Sequence, residues 1–302
     1  MRVERCSEVY ETLIYEAFKV GFSDYSIPFH LTEQQFVDRF FGPEGNRKEQ
    51  SFIALDGEQA VGVLLGGIKL YDGMKTMRCG TLAVHPAYRG TGISQQLFAL
   101  HRQEALDHGC KQLHLEVLVH NERAIKFYKK LGYEKVYDLS YYSLNDLHAL
   151  HNYDARDTHQ HEQQEQQEQE TSLHIQIRQM ELEPFVQFMQ RLTGAQGIHI
   201  NWQNDIDYIQ KSPHMLCYGA YFKEQLVAVL GLNLSGSIHF IWTDPALRGR
   251  RIATSLLKEA CITNNITKLR IGLPNNALME GFLKRAGFAK DTLAQYEMYS
   301  PL

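Results

Sequence analysis

Cysteine is scarce and scattered. Five occur in 302 residues, at Cys6, Cys79, Cys110, Cys217 and Cys261. The number is odd and no two form a CxxC pair, so neither a disulfide framework nor a zinc site is indicated, and a reducing cytosol is the expected compartment. Long apolar runs are also missing. The longest, "AVGVLLGGI" from Ala60 to Ile68, is less than half of the ~20 residues a membrane helix needs, and the opening "MRVERCSEVYETLIYEAF" is too polar for a secretory leader. Nor is there an excess of positive charge. A net charge of −4 and a pI near 6.4 give no pull toward nucleic acid or anionic lipid, so neither is an expected partner. No coiled-coil heptad declares an oligomer interface.

What is present suits a folded chain of two domains: 44% of residues are hydrophobic and 22% charged. Between the halves runs "DARDTHQHEQQEQQEQET", Asp154 to Thr171, which has no apolar residue larger than alanine and cannot offset the entropy of ordering in a core. The expected domains are therefore 1–143 and 173–302, joined by a polar linker over 144–172. His151, His159 and His161 sit in or beside that tract, where an HxH pair would hold a metal weakly at best; no metal is expected.

The order of elements repeats on either side. Strands at Ser51–Leu55 and Val61–Tyr71 turn at Asp56-Gly57, and strands at Leu216–Phe222 and Leu226–Leu234 turn at Lys223-Glu224. Each half then runs through a strand ending in proline, "TLAVHP" or "FIWTDP", into an arginine-glycine turn and a helix. A further strand, an Asn and a short helix closed by glycine plus an aromatic follow. From Pro86 to Pro245 and from Gly90 to Gly249 the offset is the same 159 residues, so the chain reads as a tandem duplication of one α+β unit.

The turn "RGTGIS", Arg89 to Ser94, opens a helix expected from Ile93 to His108, with Ile93, Leu97, Leu100 and Leu106 facing a core and Gly109 closing it. A helix start presents unbonded N–H groups and a positive dipole end, and Gly90 and Gly92 let an anion reach the backbone. On the glycines alone, a phosphate cradle and a plain tight turn fit equally. A Walker lysine and the third glycine of a dinucleotide loop are both absent.

The second element is "LHLEVLVHNERAIKFYKKLGYE". It alternates Leu113, Leu115, Val117 and Val119 on one strand face, then sets Ala124, Phe127, Tyr128 and Leu131 on one helix face that stops at Gly132. Strand, RxxGxG/A-like loop and helix, then strand, Asn and an AxxFYxxxGF-like helix, resembles the GNAT superfamily of acetyl-CoA-dependent N-acetyltransferases. The resemblance covers about Met1 to Tyr142 closely and the chain from Leu173 more loosely. It implies two tandem α+β domains, each a mixed, mostly antiparallel sheet with a splayed central strand pair and flanking helices.

By that resemblance, Arg89, Gly90, Thr91, Gly92, Ile93 and Ser94 would cradle the pyrophosphate of CoA, with Ser94 where the family has Gly or Ala. Leu82 and Val84 would border the pantetheine arm, a backbone N–H at or beside Val84 facing the thioester carbonyl, and Asn121 and Phe127 would line the far side. Tyr128 falls on the general-acid position, although periodicity alone reads it as a core residue. No base is singled out: Glu116, His85 and His120 flank the implied cleft. Asp24, with Phe22, Tyr25, Pro28 and Phe29 around it, either borders an acceptor pocket or staples the helix that follows, which Thr32 and Gln35 would cap.

In the second half Arg251 takes the place of Gly92 and Leu283 that of Tyr128, so this copy is expected to fold without the chemistry. The implied activity is transfer of an acetyl group from acetyl-CoA, as co-substrate, to a primary amine of a small acceptor. The other reading is a non-catalytic tandem module that senses acyl-CoA or binds a partner.

Overall fold

The structure, a computed structural model, describes residues 1–25, 30–150 and 174–302. Pro28, Phe29 and the histidines of the polar tract lie outside these. Two compact units emerge, Met1–Asp138 with Gln295–Leu302, and Leu139–Ala294.

In the first unit, β1 (Arg2–Arg5), α1 (Glu11–Gly21) and α2 (Glu33–Phe40) precede three long strands, β2 (Arg47–Asp56), β3 (Gln59–Tyr71) and β4 (Met74–Val84). Then come α3 (Ile93–Asp107), β5 (Gln112–Leu118), α4 (Glu122–Lys130) and the start of β6 (Glu134–Leu144). Its sheet runs β1-β2-β3-β4-β5-β12, where β12 is Ala289–Pro301. Only β4 and β5 are parallel. The period-2 alternation decides the layers: Ile53, Leu55, Val63 and Leu65 face α1 and α2, while Phe52, Ala54, Leu64, Leu113 and Leu115 face α3 and α4. Thr32 caps α2 in a full capping box with Gln35.

The second unit repeats the plan with β7 (Ile175–Met180), α5 (Leu182–Gln196), α6 (Ile206–Lys211), β8 (Met215–Phe222), β9 (Gln225–Asn233) and β10 (Ser237–Thr243), then α7 (Ile252–Asn264), β11 (Leu269–Pro274) and α8 (Ala277–Arg285). Its strands run β6-β11-β10-β9-β8-β7, with β10 and β11 parallel. The strand beside β5 thus comes from the end of the second half, Gln295–Pro301, and the strand beside β11 from the end of the first, Leu139–Leu144. Leu144 and Leu150, within the stretch read as linker, are buried in the second unit's core. Among the described residues no helix is long and apolar enough to cross a membrane.

Helix α3 corrects one expectation. Ile93 and Leu97 are buried, but Leu100 and Leu106 are exposed, and the inward arc is completed by Phe98, His101, Glu104 and Ala105. The 100° step per residue places position 100 at the edge of that arc and 106 beyond it, so an apolar residue at the right spacing still faced outward. Among the described residues neither ring nitrogen of His101 has a hydrogen-bond partner, and burial drives its pKa from 6.5 down to about 3. The unfolded chain therefore binds a proton that the folded chain refuses between those values, and stability drains as pH falls through 6.5. The loss reaches about 2 kcal/mol by pH 5. His101→Leu is expected to remove that part of the slope, read as a urea midpoint that changes less between pH 7 and pH 5 than the wild type's.

Candidate active site

Strands β4 and β5 pair from Thr76↔Gln112 only as far as Cys79↔Leu115, though β4 continues to Val84 and β5 to Leu118. Beyond Cys79 they part. His85 donates its N–H to Val61 O on β3, so by the alternation of an antiparallel pair the N–H groups of Leu82 and Val84 point away from β3, to the side β5 has left. The chain then enters the arginine-glycine turn. Gly90 and Gly92 have φ of 85° and 93°, and a Cβ at either would meet no atom of the described residues within 4 Å. Glycine is needed there for its left-handed backbone, and the space above the loop is open. Gln96 is the first residue to bond back, to Gly92 O, which leaves the N–H groups of Ile93, Ser94 and Gln95 without an intrahelical acceptor. This is a cradle an anion fits.

Arg89 faces elsewhere. Its guanidinium takes Asp24 bidentately at 2.6 and 2.7 Å, and also donates to Gly21 O at 3.0 Å and Val84 O at 3.1 Å. The side chain thereby pins the end of α1 to the end of β4, and Arg89's hydrogen bond holds the Asp24 carboxyl below its ordinary range. Asp24 is occupied by this pair, and Phe22 stacks on Phe18 in the core under α1. Among the described residues of this segment, Tyr25 reaches the cleft side by a hydrogen bond with Asn121. His85 caps the short turn at Pro86–Tyr88 through Ala87 N–H, a local role that Asp244 repeats for Ala246 in the second unit.

Asn121 caps α4, accepting from Ala124 N–H at 3.2 Å, and Asn276 does the same for α8 at 3.0 Å. The cap is common to both halves and does not distinguish them. Tyr128 packs among Phe98, Phe127 and Tyr133, at ring distances of 5.6, 5.5 and 5.9 Å. Burial pushes its hydroxyl well above the usual phenol range, with Cys79 and Tyr25 adding to the effect. It is therefore a protonated donor at neutral pH, placed by the residue where the ladder ends.

One cluster escaped the sequence. On the α1 and α2 side of the fork, Arg78 binds Glu44 at 2.6 Å and Glu116 at 2.9 Å, all three side chains being 5% exposed or less. Burial alone would lower the guanidinium's pKa; Glu44 and Glu116 overcome that and raise it. Across the strand from Glu116 stands Glu297, which accepts from Tyr71 at 3.1 Å and lies 3.5 Å from His114 Nε2. Donor atoms of His114, Glu116 and Glu297 lie within 4.8 Å of one another, close enough to share a cation or a proton. A signal existed in the alternation, since His114 and Glu116 occupy the strand face opposite the leucines. The burial of that face could not be seen without β12.

The second unit has the same fork, with pairing confined to Ser237↔Arg270 and Ile238↔Ile271. Here it is bridged. Asn204 Nδ2 donates to Gly272 O on β11 at 2.6 Å, and Asn204 Oδ1 lies 3.0 Å from His239 Nδ1 on β10, so one side chain ties the parted strands together. The turn keeps its shape, because Arg251 adopts a left-handed φ of 61° at a cost of about 1–2 kcal/mol. Leu283 is fully buried where Tyr128 stands in the first unit.

The family model for "Acetyltransferase (GNAT) family" matches residues 12–133 and 175–288. N-alpha-acetyltransferase 30 of Schizosaccharomyces pombe is 32% identical over 117 residues, 38% of this chain and 76% of that protein. Thialysine N-epsilon-acetyltransferase of Bos taurus is 49% identical over 49 residues, 16% of this chain and 29% of that protein. Acetyltransferase ECA0875 of Pectobacterium atrosepticum is 37% identical over 78 residues, 26% of this chain, which spans 52% of that protein's length. Among solved structures, a tandem GNAT protein from the clavulanic acid biosynthesis pathway aligns with a TM-score of 0.65 at 15% identity, covering 99% of this chain and 98% of that one.

Proposed function

Because the chain belongs to the acetyltransferase (GNAT) family, we propose that its first unit moves an acetyl group from acetyl-CoA to a primary amine of a small acceptor by direct attack. The observation that carries this reading is the fork itself: strands that part at Cys79, with two backbone N–H groups turned into the gap and a protonated tyrosine beside it.

The Gly90 to Ser94 turn would hold the pyrophosphate through backbone N–H groups, with Arg89 building the loop from behind rather than touching the ligand. Leu82 and Val84 would offer N–H donors to the thioester carbonyl, where negative charge gathers as the amine attacks; one such donor is worth roughly 2.7–4 kcal/mol. Asn121 and Phe127 would border the pantetheine. Tyr128 would protonate the departing sulfur, whose thiol has a pKa of about 8.5. Two relatives named for Nα- and Nε-acetyl transfer support a nitrogen acceptor.

The bridged fork and Arg251 support a second unit that holds no thioester. Calorimetry with CoA is expected to give about one site per chain. Two equal sites would refute that assignment. The activity is tested by thiol release from acetyl-CoA against a panel of amines; binding without CoA release for any amine would leave the sensor reading instead.

A further inference from the structure

We propose, resting on the acetyl-transfer reading, that Asp24 and Tyr25 form a tie across the mouth of the first unit's fork, holding its two prongs at the separation a pantetheine arm requires. The two residues are adjacent in the chain and grip opposite prongs. Asp24 takes Arg89, in the turn that follows β4, with both carboxylate oxygens. Tyr25 bonds Asn121, which follows β5 and caps α4. Past the rung Cys79↔Leu115 the ladder between β4 and β5 ends, so the sheet no longer fixes their spacing. An untied gap would close or splay freely, and a ligand entering it would lose affinity to the reordering of both strands.

The tie is braced at its root. A Cβ on Gly21, the last residue of α1, would stand 2.6 Å from Ala83 Cβ and 3.0 Å from Val84 N, so a residue without a side chain seats the helix end on the parted stretch of β4. The chain then winds tightly onward, Ser23 N–H bonding Val20 O at 3.2 Å and Tyr25 N–H bonding Phe22 O at 3.0 Å. Rings carry the bracing outward from the core: Phe18 meets Phe22 at 4.9 Å between centroids, and Phe22 meets Tyr25 edge-on at 4.9 Å. Arg89 adds its bonds to Gly21 O and Val84 O, so carboxylate, helix end and strand end are held as one piece. The second unit secures its prongs differently. Arg248 repeats the bond to the strand end, at 3.2 Å to Thr243 O, but among the described residues it pairs with no carboxylate. There Asn204 spans the gap from within. A tie at the mouth leaves the gap clear for a ligand, and a strut inside it does not.

The test uses the full chain carrying Asp24→Ala, Tyr25→Phe and both together, with CoA affinity measured by calorimetry and backbone hydrogen exchange measured on the ligand-free chain. Both changes spare the packing, since Asp24 is half exposed and phenylalanine keeps the Tyr25 ring; urea midpoints check that each variant folds. Each single variant is expected to weaken CoA about three- to tenfold, the range one lost hydrogen bond spans. Exchange is expected to quicken on both prongs, over 80–84 and 116–121, in either variant. The double variant is expected to bind CoA no more weakly than the worse single one, because cutting either end frees the tie. KM for acetyl-CoA should rise accordingly, with kcat at saturation changed by less than about twofold. Losses that add in the double variant, exchange that quickens on one prong only, unchanged CoA affinity, or a rise confined to the KM of the amine would each overturn the tie. A wild type that binds CoA but transfers acetyl to no amine would overturn the acetyl-transfer reading alone, since exchange and affinity still judge the tie; a wild type that binds no CoA would overturn both.

Discussion

Arg78→Met is expected to cost about 3–5 kcal/mol of folding stability, a large part of the 5–15 kcal/mol that separates a typical domain from its unfolded state. The guanidinium is the buried partner of both Glu44 and Glu116, and its loss removes their compensating charge where each side chain is 5% exposed or less. The half-exposed Arg39, 3.5 Å from Glu44, offers partial relief to one of them. Burial alone would raise the Glu44 pKa above 4.5, but Arg78 and Arg39 more than reverse that and hold it lower. Its stabilising share is therefore full above about pH 4.5 and is lost as pH falls through the folded value. In Arg78→Met the stranded carboxylates take up protons instead, so the penalty is expected to shrink from pH 7 to pH 5. Adding Glu44→Gln and Glu116→Gln should recover much of the loss. Urea midpoints of the single and triple variants at both pH values check this, with exposed Arg2, paired to Glu4, as a control whose loss should matter by no more than about 0.5 kcal/mol. A penalty no larger than that control's would show that water reaches the triad.

Tyr128→Phe is expected to lower turnover at neutral pH by ten- to a hundred-fold or more while leaving acetyl-CoA affinity nearly unchanged. The ring would keep its neighbours Phe98, Phe127 and Tyr133, and the second unit buries Leu283 at the equivalent position. Packing therefore does not require the hydroxyl. Steady-state kinetics with a thiol-release readout, beside CoA titration calorimetry, separate chemistry from binding. Turnover equal to wild type would remove Tyr128 from the reaction.

Much of this architecture was legible because its determinants are local. The turn glycines, the Thr32 capping box and the alternating leucines of β5 each announce themselves within a few residues, and the 159-residue offset repeats the proline and the first turn glycine in the second half. What was hidden depends on long-range pairing. Nothing near Arg89 shows that its side chain turns back to Asp24 across 65 residues of sequence. Glu116 reads as flanking a cleft, but its ion pair with Arg78 and its place opposite Glu297 come from residues far away in sequence. The exchange of β6 and β12 is equally silent, because a strand's own pattern does not name its partner. Asn204 carried no motif; only folding brings it between β10 and β11.

The late arrival of β12 also sets an order for synthesis. Chains emerge amino end first, and domains commonly fold in that order. Here the first unit lacks its neighbour for β5 until Gln295 to Pro301 have been translated, long after its other strands. A nascent chain stalled before that point carries an open β5 edge, a template for aggregation. Deleting Gln295 to Pro301 should thus disable the amino-terminal site, although it leaves every residue of the first 138 in place.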